Sequence, residues 1–321
     1  MVEDFLGWRV EADLALALNP RTAVLPAWDK FTLTLYAQAF GLPTPALVAA
    51  YRPGARASAM IGTTLIDSSD TLRRWLRDND QWPIFAKPSY SQQSVGCHNF
   101  TAYRATDDAL LTASGEAIAA AAFIDSISGR VKRPYYEAAM GYLFQRVLVP
   151  HPDIVALLGT TQISSVRIVL IQDEHGVEIV KAGSKLAGGE SDTDRFDERH
   201  PAGLIADVSL DNGKLGIAAS MRGRVTHVPR TGAALGGFQL PDWQEATALC
   251  AKAATMFPML RIQHWDVALT DHGPVLLEVN DIGAIGWLQV FGSGILTPRL
   301  RALLRKHADP AKYRWVKRLC V

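Results

Sequence analysis

The sequence predicts an α+β chain in two lobes, and three observations carry that reading. The chain has 321 residues, more than one typical domain of about 100–200 residues. Helical and extended patterns mix without the strict alternation of a doubly wound sheet. From Tyr142 onward the texture turns to short alternating strands. We expect a helical segment over 1–50, a small lobe over 51–143 and a large lobe with a basic C-terminal helix over 144–321.

Taken in order, Phe5, Leu6, Val10, Leu14 and Leu18 recur at near-helical spacing up to Asn19-Pro20, predicting a helix over 5–18. A second helix runs from Trp28-Asp29-Lys30 to Phe40. Gly41-Leu42-Pro43-Thr44-Pro45 stops it, with glycine as a left-handed cap and proline unable to continue. Residues 82–88 read as a strand leading into a polar loop, 89–94, and the alanine-rich run 117–123 as a helix. Residues 142–149 read as a strand closed by Pro150-His151-Pro152, and 164–171 as a strand paired with 177–181. Residues 183–203 are rich in Gly and Asp and read as a loop. A helix over 242–255 precedes two strands, 264–269 and 275–280, joined as a hairpin.

The 33 basic and 32 acidic residues sum to +1, and the chain is 48% hydrophobic and 20% charged. That excludes a uniformly basic nucleic-acid-coating protein and a mainly disordered one. The charge is unevenly spread. From Pro298 to Val321 eight basic residues stand against Asp309 alone, leaving 25 basic and 31 acidic residues elsewhere. Leu300, Leu303 and Leu304 recur at helical spacing there, so the tail reads either as a solvated amphipathic helix or as a contact for an anionic partner.

Cys97, Cys250 and Cys320 are scattered and odd in number, which fits a reducing cytosol rather than a disulfide framework or zinc site. Cys320 is second from the end, not at the position of a prenylation box. The acidic start Met1-Val2-Glu3-Asp4 is unlike a signal peptide. No apolar run approaches the roughly 20 residues that cross a bilayer. A cytoplasmic chain without a membrane span is the expectation. His-Glu-x-x-His and Gly-x-Ser-x-Gly are absent, and Gly213-Lys214 is followed by Leu215, so there is no Walker A loop either.

The final hairpin carries the most chemistry. Glu278 and Asn280 are two apart on a strand and share a face. If Leu269 pairs with Val275, Asp266 stands opposite Glu278, with β-carbons about 4.5–5.5 Å apart. Two like charges so placed need neutralising, because their neighbours Val267, Ala268, Leu276, Leu277 and Val279 are apolar. A shared proton would do it. A divalent cation such as Mg2+ would do it too, with Asn280 as a third oxygen donor. A surface hairpin with solvated acids is the plain alternative, and a one-residue slip would separate the two acids.

His264-Trp265-Asp266-Val267-Ala268-Leu269, followed by Gly273-Pro274-Val275-Leu276-Leu277-Glu278-Val279-Asn280, resembles the magnesium signature of the ATP-grasp superfamily, in particular its sugar-transfer-associated branch. The resemblance covers roughly 29–289. It implies an ATP-grasp fold, two α+β lobes clamping ATP between them. It also implies ATP and Mg2+ as cofactors, with two ions bound by Asp266, Glu278 and Asn280 and Mn2+ able to substitute. Lys30 and Lys87 match the family's phosphate-contacting lysines, the second on the strand into the lid, where Ser91 faces the phosphates. Gln145-Arg146-Val147-Leu148 resembles the adenine hinge, and Asp153 is similar to the acid offered to the ribose. Arg167 and Lys185 match basic positions near the transferred phosphate. His264 stands where amino-acid ligases of the superfamily carry an arginine toward the acyl phosphate.

Two departures are visible. The lid stretch Ser89–Gly96 has a single glycine, and Asp194-Arg195-Phe196 replaces an Asp-Asn-Phe, the arginine suggesting an anionic co-substrate. Only some 28 residues precede Asp29-Lys30, so the separate N-terminal substrate domain of those ligases is not expected. The resemblance implies an ATP-dependent carboxylate–amine ligase that forms an amide through an acyl phosphate and acts on small sugar- or amino-acid-derived substrates. A small-molecule kinase and a non-catalytic nucleotide-binding module are the alternatives. No nucleic-acid partner is expected.

Overall fold

Asp29 decides where the second helix starts. It takes an extended conformation, and its carboxylate accepts from the backbone N–H of Phe31 and from Thr32 Oγ1. The computed structural model describes residues 4–7, 10–54, 63–91, 94–129, 137–189, 193–309 and 311–319. The acidic start up to Glu3, the lid residues Gln92 and Gln93, part of the 183–203 segment and Cys320 lie outside the described residues.

Among the described residues the helices are α1 (Glu11–Leu18), α2 (Leu25–Trp28), α3 (Lys30–Ala39), α4 (Ser69–Asp78), α5 (Ala120–Ile127), α6 (Pro152–Leu158), α7 (Trp243–Ala254), α8 (Gly286–Gln289), α9 (Pro298–His307) and α10 (Arg314–Leu319). The expected helix over 28–40 is thus split by its capping aspartate into α2 and α3. Gly41 follows α3 at φ +62°, the left-handed conformation that the stop signal requires.

Among the described residues the strands form two seven-stranded sheets. The first contains β1 (Leu47–Tyr51), β2 (Thr64–Ile66), β3 (Ile84–Pro88), β4 (His98–Arg104), β5 (Ala109–Thr112), β6 (Ala117–Ala119) and β7 (Tyr142–Arg146), in the order β2-β1-β7-β3-β4-β5-β6. It begins a few residues before the expected 51 and closes a few after the expected 143. Its core is Leu72 and Leu76 of α4 and Phe123 of α5 against Phe100 and Phe144. The expected alanine-rich helix over 117–123 opens instead as β6, whose three residues pair with β5 before α5 begins.

The second sheet contains β8 (Ser165–Asp173), β9 (Gly176–Leu186), β10 (Leu204–Val208), β11 (Leu215–Ser220), β12 (Gly223–Val225), β13 (Ile262–Thr270) and β14 (Gly273–Asn280), all antiparallel in the order β12-β11-β10-β9-β8-β13-β14. The expected loop over 183–203 is corrected at its start. Gly183–Leu186 continues β9, because Ser184 and Leu186 are buried against the sheet and Lys185 pairs with Ile205 of β10.

The two faces of this sheet differ, and the difference positions the site. Val166, Ile168 and Leu170 of β8, with Trp265 and Val267 of β13, pack into one core with α3, α6 and α7. The opposite face is apolar at one end, where Val169, Ile171 and Ile262 meet α1 and α9. By strand alternation the same face then carries Arg167, His264 and Asp266. The basic tail docks on that apolar end through Leu300, Leu303 and Leu304. Arg299 pairs with Asp173 and Glu178, Arg301 with Asp4 at 3.0 Å, and Lys306 with Glu174. Much of the tail's charge is therefore answered by acids of the body.

Candidate functional site

β13 and β14 bring the acids together through a bulge. Thr270 pairs with Gly273, Leu269 with Pro274, Ala268 with Val275 and Val267 with Leu276. The register is one residue off the expected Leu269–Val275 pairing. It shifts between Val267 and Asp266, Leu277 being the extra residue, and Asp266 still faces Glu278 and His264 faces Asn280. Asp266 is also directly opposite Arg167 on β8, so a row of Arg167, Asp266 and Glu278 crosses three strands.

Each carboxylate has its own cation. Arg167 holds Asp266 with two parallel hydrogen bonds, Nε to Oδ1 at 2.7 Å and NH2 to Oδ2 at 2.6 Å. Lys30 Nζ lies 3.2 Å from Glu278 Oε2 and donates to the backbone oxygen of Ser91 at 3.2 Å. Lys87, at the end of β3, donates to the backbone oxygen of Leu277 at 3.3 Å. Burial alone would raise the Glu278 pKa, but Lys30, Lys87 and Arg167 hold it well below the usual carboxylate range. The shared-proton and solvated-hairpin alternatives therefore give way to ion pairing: Asp266 is buried, and Glu278 is kept ionised. Burial pushes the Lys87 ammonium down to about 8, with the charge of Lys30 adding to the effect.

Two residues left unassigned by sequence reasoning stand beside the lysines. The Asp29 carboxylate that caps α3 also accepts from Ser89 Oγ, and the backbone N–H of Lys30 donates to Ser89 O at 3.0 Å. This ties the start of α3 to the loop after β3. Cys97 is the second. Burial pushes its thiol up to about 11 against the pull of Lys87 and Lys30, so it sits among the same charges. Its position just after the lid stretch was the available signal.

Lys185 and His264 flank the row differently. Lys185 pairs with Ser165, and its ammonium lies 5.9 Å from the Trp287 ring centroid. Beside it Asp194 is half-buried, accepts from Ser165 Oγ and has its pKa raised by desolvation. His264 is buried beneath Gly283, where an added Cβ would meet its Cγ at 2.1 Å. Burial, with the Arg167 charge nearby, pushes the imidazole down to about 3. It is therefore neutral at pH 7 in the nucleotide-free protein. Arg195 of the long loop donates to the backbone oxygen of Ser94 at 2.7 Å, joining that loop to the stretch between β3 and β4.

The residues matched to the adenine hinge lie at the end of β7 and in the coil after it. Gln145 is buried opposite Phe85, on the face that also carries Lys87, and its Oε1 has no hydrogen-bond partner. Arg146 ends β7 and is exposed, and Val147 and Leu148 are half-buried in the following coil. Asp153 stands apart from the charged row. It lies in the first turn of α6 with its side chain 68% exposed, 3.7 Å from His151.

The family profile described as sugar-transfer associated ATP-grasp matches residues 9–305. The chain belongs to that family. Its fold is accordingly the ATP-grasp fold, here as the two seven-stranded sheets and their helices. A search of the curated proteins finds no match. Solved structures that this ATP-grasp chain resembles include an L-amino acid ligase from Bacillus licheniformis, 13% identical, covering 84% of this chain and 44% of its own at a TM-score of 0.42. VanG D-Ala:D-Ser ligase from Enterococcus faecalis is 10% identical, with 94% and 64% covered and a TM-score of 0.48. D-alanyl-alanine synthetase A from Vibrio cholerae is 14% identical, with 94% and 68% covered and a TM-score of 0.45. The chain spans less than half the length of the first of these.

The donor set at the ATP-grasp hairpin fits a hard divalent ion in kind: two carboxylates and an amide. Asn280 Nδ2 donates to Glu278 Oε1 at 3.2 Å, which turns the amide nitrogen rather than its oxygen toward the acid. Glu278 and Asn280 could serve an ion after a turn of that amide. Asp266 could join only once its pair with Arg167 opens. Among the described residues no group of three or more His, Cys, Asp or Glu side chains is placed to hold a metal.

Proposed function

We propose that this chain is an ATP-dependent carboxylate–amine ligase acting on small molecules. The observation that supports the reading most is the convergence of three cations from separate elements on one hairpin: Arg167 on Asp266, Lys30 on the opposed Glu278, and Lys87 on the carbonyl of Leu277 beside it. In this reading a substrate carboxylate oxygen attacks the γ-phosphorus of ATP and the bond to the ADP oxygen breaks. An amine nitrogen then attacks the acyl carbon of the acyl phosphate, the bond to phosphate breaks, and the amine loses a proton. No protein nucleophile is needed.

Lys30 and Lys87 would hold the phosphate oxygens as the lid settles, a task suited to a compact cation on a flexible stem. Arg167 and Lys185 would face the transferred group and stabilise charge as it moves. The backbone of 145–148 would take the adenine and Asp153 the ribose. His264, neutral and buried, would form the wall behind Asn280. A divalent cation such as Mg2+, held by Glu278, Asn280 and a released Asp266, would offset charge on the phosphates.

The test is a panel of carboxylates and amines, including amino sugars, uronates and amino acids, scored for orthophosphate and for a new amide by mass. Orthophosphate in step with amide is the expected result. A phosphorylated product without orthophosphate would replace the ligase reading with a kinase, and ATP binding without ADP release would replace it with a binding module.

A further inference from the structure

Three of the cations assigned to ATP, Lys30, Lys87 and Arg167, are engaged with the hairpin itself. Arg167 covers both oxygens of Asp266 at 2.7 and 2.6 Å, each side chain only 8% exposed. Lys30 takes Glu278, and Lys87 takes the carbonyl of the bulged Leu277. A bare divalent ion entering this centre would add charge of the same sign and would have to pull a carboxylate from a guanidinium fork in a low-dielectric setting. A triphosphate arriving with its metal carries net negative charge and supplies new oxygens for the displaced cations.

We infer that Arg167 acts as a placeholder for the metal: it occupies Asp266 in the nucleotide-free protein, suppresses binding of the bare ion, and releases the carboxylate when phosphate oxygens become its partner. Arg167 is a positioning residue in this step, acting through Asp266. The geometry favours this over a purely structural bridge. The pair lies at the charged end of a sheet face whose other end is apolar core, in line with Glu278 across three strands. The inference rests on the reading of the hairpin as a metal centre.

Mn2+ is the probe, titrated into the full-length protein without nucleotide and followed by the paramagnetic signal of the free ion. The wild type should bind it weakly. Arg167→Gln should bind it roughly tenfold more tightly or better, the size of effect seen when groups around a metal site change. The gain should vanish in the double variant with Asp266→Asn. A buried acid stripped of its partner destabilises a protein, so Arg167→Lys is made in parallel. One ammonium cannot cover both oxygens as the fork does, and a smaller gain of the same sign is expected.

Bare Mn2+ binding no tighter in either Arg167 variant than in the wild type would overturn the inference. Calorimetry with Mn2+ and a non-hydrolysable ATP analogue separates the two claims. If Glu278→Gln loses that binding while the Arg167 variants show no gain, the placeholder role alone fails. If Glu278→Gln binds the complex as well as the wild type, the hairpin is not the metal centre and both fail.

Discussion

Lys87 of the first sheet donates a hydrogen bond to the backbone oxygen of Leu277, the extra residue that the bulge adds to β14. The bulge thus does two things: it restores Asp266 opposite Glu278, and it presents a carbonyl to a lysine from the other sheet. That lysine is buried, and its pKa is pushed from 10.5 down to about 8.

A stability consequence follows for the metal-free protein. Between about pH 8 and 10.5 the unfolded chain holds the Lys87 proton and the folded chain does not, so stability rises with pH across that window. Below pH 8 the charged form is buried at a cost. Lys87→Met should therefore be more stable than the wild type at pH 7, by about 1–3 kcal/mol, and should lose its share of the pH dependence. Activity should fall sharply in the same variant, the usual trade at a functional site. Urea denaturation in EDTA at pH 7 and pH 10 measures both variants; a less stable Lys87→Met at pH 7 would refute the assignment.

Cys97 reports on the same place. Its thiol, pushed up to about 11, should alkylate slowly at pH 7 and faster as pH rises, because the thiolate is the nucleophile. Bound ATP and Mg2+ should slow labelling by roughly tenfold or more, a 100-fold excess of ligand over Kd leaving little free site. A Cys320→Ser background removes the residue outside the described structure, and Cys250 is wholly buried. Peptide mapping after iodoacetamide treatment gives the rate; equal labelling with and without nucleotide would place Cys97 outside the site.

Glu278→Gln keeps shape and removes the charge that Lys30 answers at 3.2 Å. Turnover should drop by orders of magnitude, a loss of the size seen when one electrostatic contributor is removed, roughly 10²–10³, while the circular dichroism spectrum stays unchanged. Near-normal turnover would remove Glu278 from the reaction.

The C-terminal tail should act as structure. Arg299 pairs with Asp173 and also donates to the backbone oxygen of Gly176 at 2.6 Å, and the Arg299 hydrogen bond lowers the Asp173 pKa. Arg299→Ala should cost roughly 1–3 kcal/mol with nucleotide affinity unchanged, measured by denaturation and calorimetry. The Asp173 share of that stability is present above the ordinary aspartate pKa and is lost as pH falls below it. An unchanged denaturation midpoint would mean the pairing is only a solvated surface contact.

Much of this was legible in the sequence for definite reasons. The period-two pattern of Asp266, Glu278 and Asn280 put three oxygen donors on one face, and the structure keeps them there. The bulge was not read, although the adjacent Leu276 and Leu277 break strict alternation and could have marked it. That misplaced turn register and the bulge offset each other, so the acids meet by a route different from the expected one. The partners of the acids were less visible. Arg167 stands 99 residues before Asp266, and nothing in local spacing shows that β8 lies beside β13. The β9 extension through Gly183–Leu186 hid behind polar composition, because Ser184 and Lys185 are satisfied by tertiary partners. The tail's charge looked unpaired for the same reason, its acids Asp173, Glu174 and Glu178 lying more than a hundred residues upstream.

The central claim is that a substrate carboxylate attacks phosphorus at the Asp266–Glu278 hairpin. Once the panel has yielded a reactive pair, its carboxylate is labelled with oxygen-18 and the released orthophosphate is analysed by mass. One labelled oxygen transferred to phosphate for each amide formed, and lost together with turnover in Glu278→Gln, is the expected result. Amide formation with unlabelled orthophosphate would contradict the account.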